Sequence, residues 1–258
     1  MLRSSLTDPR QHVGDVWGPR WRILREMNLL VAIAVAVQAG SPSFADIEKN
    51  KHAAYRLLAD FRDQMTITVK DANEPAQTLG IEQRIAKSKL KVGVTINGTK
   101  VLEGGYDGAN QWVVSHVQKQ FSTTKIPHQW FNDPYRPAQY PDREPQFDMK
   151  FNNGYGVRFD CNPPLKVTSD SVVKLNGSDA RLVTARADVP GTNRFIEVKQ
   201  WFFPDRWVLR KFEVRGQRDG GKTLNVVGEA TTVQFKANNT AKDFEMPRPS
   251  GYVEVRPG

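Results

Sequence analysis

Three strands joined by two readable turns, between Arg194 and Phe235, constrain this chain more than any other stretch. The first, Phe195-Ile196-Glu197-Val198-Lys199-Gln200-Trp201-Phe202-Phe203, is rich in aromatic and β-branched residues. It stops at Pro204-Asp205, a pair suited to a type I turn because Pro presets φ and Asp bonds its own backbone. Trp207 to Val214 returns, and Gln217-Arg218-Asp219-Gly220-Gly221 makes a looser turn. Thr223 to Phe235 follows, with Val227, Thr231, Val233 and Phe235 at even-numbered intervals and so on one face. Such a meander is antiparallel and ordinarily has one face on a core and one in water. Here Ile196, Val198 and Phe202 fall on one side, while Phe195, Trp201 and Phe203 fall on the other. Apolar groups on both faces need cover on both, or a cavity on one.

The same β character runs back through the chain. Met65, Ile67 and Val69 alternate with polar residues, and Leu90, Val92, Val94 and Ile96 alternate with Lys89, Lys91, Gly93 and Thr95. Asn97-Gly98 then supplies a type I′ hairpin turn to Thr99–Leu102, and Asn176-Gly177-Ser178 supplies a second between 172–175 and 181–187. Tyr106-Asp107-Gly108 leads into the strand Gln111-Trp112-Val113-Val114. Regular short strands with turns between them predict an antiparallel sheet, curved or partly closed. One helix is expected before it, from Asp46 to about Met65, because Ala54, Leu57, Leu58, Phe61 and Met65 form one stripe. With no repeated unit and no internal boundary, residues 46–258 read as a single domain.

Residues 1–45 read as a leader. Arg20, Arg22 and Arg25 precede the apolar run Leu29–Val37, and Ser43-Phe44-Ala45 places small residues at the −3 and −1 positions of a cut. This is the order of a secretory signal, with cleavage expected after Ala45 and a periplasmic destination; a retained anchor is the alternative. So short an apolar run does not span a bilayer, so no stable membrane span is expected after cleavage. The formal charge of +9 admits an anionic partner, but the basic residues are scattered and no nucleic-acid motif is present, so nucleic acid is not expected. Cys161 stands alone and cannot form an internal disulfide.

Between Ser122 and Pro164 seven prolines interleave with Trp130, Phe131, Tyr135, Tyr140, Phe147, Phe151, Tyr155 and Phe159. A long loop of this kind is either a binding loop or an anchored connection. No Gly-x-Ser-x-Gly, phosphate loop or His-Glu-x-x-His motif occurs, so catalytic and metal residues are not assigned and no cofactor is expected. His116 reads as a strand residue facing water rather than a base, and Cys161 as a small structural residue or a thiol beside His128. Asp142, Glu144 and Asp148 are a carboxylate set whose spacing in space a loop sequence does not fix.

The tail brings a resemblance. Lys211-Phe212-Glu213-Val214, the strand ending Thr232-Val233-Gln234-Phe235-Lys236, and the run from Asp243-Phe244-Glu245-Met246-Pro247-Arg248-Pro249 through Gly251 to Val255 resemble the C-terminal region of the outer-membrane lipoprotein carrier (LolA-like and LolB-like) superfamily. Tyr106-Asp107-Gly108-Ala109-Asn110-Gln111-Trp112 resembles its mid-chain hairpin, although the arginine-proline pair of that family's early strand has no clear counterpart here; Arg84, Lys87 and Lys89 are only nearby. The resemblance implies a mainly β (α+β) fold: a strongly curved antiparallel sheet forming an unclosed barrel, with an N-terminal helix on the concave side. It also implies a non-enzymatic carrier or sensor whose apolar cavity takes lipid or the acyl chains of a lipoprotein, with an envelope protein as a second partner. The residues expected to line that cavity are Trp112, Val114, Trp130, Phe131, Ile196, Val198, Trp201 and Phe203. The competing expectation is an exported carbohydrate-binding protein or hydrolase working through the 122–164 loop. The blandest is a scaffold whose cavity is filled by its own side chains.

Overall fold

Ser43 decides where the first element begins. In the computed structural model, which describes residues 42–71, 75–125, 146–151, 157–217 and 223–256, the helix α1 spans Phe44–Arg56. Ser43 Oγ accepts from the backbone of Asp46 at 3.2 Å, and the Asp46 carboxylate accepts from the backbone of Ser43 at 3.1 Å. This reciprocal box satisfies two of the amides a helix start leaves open. Those bonds from Ser43 hold the Asp46 carboxyl below its usual range. Phe44, Ile47 and Tyr55 are buried beneath the helix together with Glu48, Lys51 and His52. A cut after Ala45 would therefore take away both the cap and the first buried ring.

The helix is shorter than the sequence spacing suggests. Leu57 is 84% exposed, and Phe61 and Met65 belong to the strand β1, Asp60–Asp71. Positions 61 and 65 fit a helical stripe but also one face of a strand, so both periods accommodate them. The run Thr66-Ile67-Thr68-Val69, β-branched at every position, settles the matter for the strand.

From β1 the chain runs through β2 (Gln77–Ala86), β3 (Lys89–Ile96), β4 (Thr99–Tyr106), β5 (Asn110–Ser115) and β6 (Gln120–Lys125). A hairpin of β7 (Gln146–Phe151) and β8 (Val157–Asn162) follows. The chain then continues through β9 (Lys166–Leu175), β10 (Ser178–Asp188), β11 (Phe195–Phe202), β12 (Leu209–Gln217), β13 (Thr223–Gln234) and the two-residue β14, Val253–Glu254. Among the described residues these make one twelve-stranded sheet in the order β14-β6-β5-β4-β3-β2-β1-β13-β12-β11-β10-β9, with β7–β8 a separate pair. Two meanders thus meet where β1 pairs with β13, from Arg62↔Gln234 to Asp71↔Leu224. β14 joins β6 in parallel, the other pairings are antiparallel, and β9 and β14 are free edges, so the barrel stays open. The type I′ turns are as the sequence implies: Asn97 and Gly98 have φ of 47° and 80°, and Asn176 and Gly177 have 49° and 79°.

Alternation along β11 answers the question its sequence poses. Ile196, Val198 and Phe202 join Ile67, Phe212 and Val214 in the main core, beneath α1 and against Phe159 and Val157 of β8. A buried polar knot fastens these layers. Glu48 accepts from Lys51 at 2.7 Å, from Gln200 at 2.9 Å and from the Phe159 amide at 3.4 Å, while Lys51 donates to the Val157 carbonyl at 2.5 Å. On the opposite face the aromatics are roofed by cations of neighbouring strands. Arg186 lies 4.1 Å from the Phe195 ring centre and Lys211 5.2 Å from that of Trp201. The scattered basic residues are, in part, covers for outward rings.

Candidate functional site

Cross-strand register sorts the residues of β1–β6 into two faces, because directly opposed residues point the same way. On the face shared with α1, one row runs Met65, Ile81, Val94, Leu102; a second runs Asp63, Gln83, Val92, Gly104, Val113; a third brings Leu79 beside Ile67 and Ile96. Near β1 these rows are sealed: Ile67 is fully buried and Met65 and Ile81 nearly so. Towards β3–β5 burial falls away. Val92, Val94 and Val113 are half-buried, and Ile96 and Leu102 are 39% and 41% exposed. An apolar surface continuous with the core, since Leu79 and Val92 pack against it, thus emerges on the inner face of the open end.

The residues named from sequence are not gathered there. Ile196 and Val198 do lie on the inner face, within the core. Trp112 and Val114 are almost wholly buried, but by register with Gly105–Lys91 and Glu103–Gly93 they point to the opposite face. Trp201 is on that face too, beneath Lys211. Phe203 leaves the strand and stacks edge-on at 5.1 Å against Phe235, in a second cluster with Tyr55 and Phe61. Trp130 and Phe131 lie outside the described residues, as does most of the proline-aromatic loop. Sequence reasoning passed over Val113, Val94 and Leu102. Strand alternation with Gly104 and Gly93 was the available signal, but it does not say which face is covered.

The opposite face is covered by the C-terminal segment. A short 3-10 turn at Ala241–Phe244 buries Phe244 completely, and the Trp112 indole donates to its carbonyl at 3.1 Å. Arg84 pairs with Asp243, and β14 fastens the end to β6. His116 does not face water as its sequence suggested. One ring nitrogen is 2.8 Å from Glu103 and the other 2.9 Å from the Tyr252 hydroxyl, because the tail arrives from far along the chain. Glu103 also receives Lys100 at 3.2 Å and Lys91 at 3.7 Å. Burial opposes its charge, yet the bonds from His116 and Lys100 and the nearby lysine charges hold this carboxyl below its usual range. Beside it a cavity of about 350 Å³ opens among Thr66, Glu82, Arg84, Lys91, Gly93 and Lys100.

Two further features belong to the inner side. Asp63 is 1% exposed, and burial pushes its carboxyl up to about 7 although Gln83 donates to it at 2.7 Å. Burial, and then the charge of Asp63, raises the Tyr55 phenol well above its usual range. At the end of α1 a groove of about 440 Å³ is lined by Ala53, Ala54, Leu57, Leu58, Trp207 and Val208. Burial raises the Cys161 thiol to about 11, the behaviour of a structural cysteine rather than a nucleophile. Among the described residues no three His, Cys, Asp or Glu side chains are placed to hold a metal ion. Nor is any helix there long and apolar enough to cross a membrane.

No family model matches the chain, and no curated protein matches it either. Several solved structures are similar in fold. An uncharacterised conserved protein of Thermus thermophilus is 12% identical, with a TM-score of 0.44 over 83% of this chain and 99% of that one. A LolA superfamily protein of Nitrosomonas europaea is 8% identical, with a TM-score of 0.32 over 80% and 99%. A Pseudomonas aeruginosa MucA/MucB complex is 14% identical, with a TM-score of 0.35 over 74% of this chain and 56% of that one. These are likenesses of fold alone.

Proposed function

We propose that this chain is an exported, non-enzymatic carrier or sensor that holds lipid, or the acyl chains of a lipoprotein, on the inner face of its open sheet. The observation that supports this reading is the apolar surface of Val92, Val94, Ile96, Leu102 and Val113, which runs from the sealed core, half-buried at the three valines, to an exposed rim at Ile96 and Leu102. Burying a methylene contributes about 0.8 kcal/mol, so one acyl chain lying along this surface outweighs the cost of ordering it. Exposed aliphatic side chains at Ile96 and Leu102, continuous with rows that are sealed near β1, are the kind of patch that marks an interaction site. The leader read in residues 1–45 would deliver the protein to the envelope.

Native mass spectrometry of the protein purified from an envelope fraction, followed by lipid extraction, tests the reading. Co-purifying lipid that is lost in Leu102→Asp but kept in Trp201→Gln, on the opposite face, is the expected result. Leu102 is exposed enough for the change to leave the fold intact, which circular dichroism checks. A bare mass, with no binding of a fluorescent fatty acid, sinks the idea.

A further inference from the structure

Gly80, Gly105 and Gly228 explain themselves sterically, Gly104 and Gly216 have room for ordinary contacts only, and Gly93 faces the most open space of the strand glycines. A Cβ on Gly105 would meet the Trp112 ring at 2.6 Å, and one on Gly228 would meet the Phe212 ring at 2.0 Å. A Cβ on Gly93 would meet nothing nearer than the Glu103 Cγ at 4.0 Å. Gly93 is also absent from the residues of positive φ, so neither packing nor backbone conformation requires glycine there. Glycine inside a strand weakens it, and commonly marks where a ligand or another backbone approaches closely. What Gly93 faces is a cavity of about 350 Å³ on the side away from α1, with a wall of mixed polar and apolar character and a volume within the ~300–1,000 Å³ of small-molecule sites.

The charges around it are unequal. Glu82 is engaged by Arg62 at 3.1 Å and Arg84 at 2.8 Å, and Arg84 is shared with Asp243. Glu103 is engaged by Lys91, Lys100 and His116 at once. Three permanent cations, Arg84, Lys91 and Lys100, thus line the cavity with two carboxylates, Glu82 and Glu103, and Lys91 stands farthest from its partner, at 3.7 Å. Thr66, Thr95 and Gln64 complete the wall with groups that both donate and accept hydrogen bonds. Carboxylates already saturated by cations do not repel a further anion as free ones would, and the surplus cation favours one.

We infer that this cavity is a binding site for a small hydroxylated anion, a phosphate or carboxylate on a polyol skeleton, lying over Gly93 with its charge beside Lys91, the ammonium least tightly held by Glu103. The site is on the face opposite the proposed lipid surface and does not depend on it. The same chemistry is presented by a free solute and by a phospholipid headgroup.

Isothermal titration of the purified full chain with glycerol 3-phosphate, glucuronate and uncharged glycerol tests this. Binding of either anion and not of glycerol is expected, weakened at least tenfold in Lys91→Gln and in Gly93→Val and reduced by added salt. Gly93→Val fills open space on a strand, so its thermal midpoint stays level or rises while binding falls. Tighter binding of deacylated glycerophosphoglycerol than of glycerol 3-phosphate identifies a phospholipid headgroup as the source; equal or weaker binding identifies the free solute. No heat with either anion, or affinity unchanged in both variants, overturns the inference. Neither result bears on acyl-chain binding at Leu102.

Discussion

The indole of Trp112 in β5 donates its hydrogen bond, at 3.1 Å, to the carbonyl of Phe244, which lies 132 residues later in the C-terminal segment. Both side chains are almost wholly buried. This pair is the centre of the strap over the second face. Trp112 can lie flat there only because Gly105, directly opposite, has no side chain. Trp112→Phe keeps most of the apolar contact but leaves a buried carbonyl without its donor, a loss of about 1–3 kcal/mol. Phe244→Ala removes a whole buried ring and should cost roughly 3–5 kcal/mol. Urea unfolding of the two variants gives both values, and equal losses would contradict the distinction.

Asp63 makes stability depend on pH in an uncommon direction. Its folded-state value of about 7 is above the ordinary 3.8 because burial disfavours the charged form. The folded chain therefore binds a proton that the unfolded chain has released between about pH 4 and 7. The full contribution is present below pH 4 and is lost as pH rises through 7. At 1.36 kcal/mol per unit this amounts to ~4 kcal/mol across the window. Asp63→Asn removes the dependence. Relative to the parent, it should match near pH 4 and gain steadily up to pH 7.5. A difference that is constant with pH would show that Asp63 does not titrate in this range.

The contrast between what could and could not be read from the sequence follows from the range of the interactions. Asn97-Gly98 and Asn176-Gly177 were legible because a type I′ turn is a local demand for positive φ. The meander of Phe195 to Gln234 was legible because neighbouring strands pair in order. The length of α1 was misjudged, since Phe61 and Met65 satisfy both periods and the deciding β-branched run, Thr66–Val69, lies beyond them in β1. The orientation of Trp112 was hidden for a different reason. A strand face shows its cover only when the covering segment is known, and here that segment is the distant tail. His116 likewise looked unpartnered because Tyr252 is 136 positions away. The two apolar faces of β11 were visible, but not that Arg186 and Lys211 would roof one of them.

The cap at Ser43 gives the expected cut after Ala45 a cost in stability. Loss of the Ser43 cap costs about 1 kcal/mol, and loss of Phe44, which is 7% exposed, a further ~2 kcal/mol. A chain beginning at Asp46 should be less stable than one beginning at Ser43 by roughly the sum. N-terminal sequencing of protein from the envelope should then find a start at or before Ser43. A mature chain that begins at Asp46 with undiminished stability would remove the role given to this cap.

Gly228 and Gly93 should respond oppositely to the same added methyl group. A Cβ at Gly228 would lie 2.0 Å from the Phe212 ring, which is fully buried against Phe159 and has no free direction in which to yield. Overpacking of this kind costs about 1–3 kcal/mol or more. At Gly93 the space is open, and replacing glycine within a strand gains a few tenths to about 1 kcal/mol through the unfolded chain. Thermal unfolding of Gly228→Ala and Gly93→Ala therefore should move the midpoint down in the first and up, or not at all, in the second. A marked loss on Gly93→Ala would mean that the cavity floor is packed, and would count against the anion site as well.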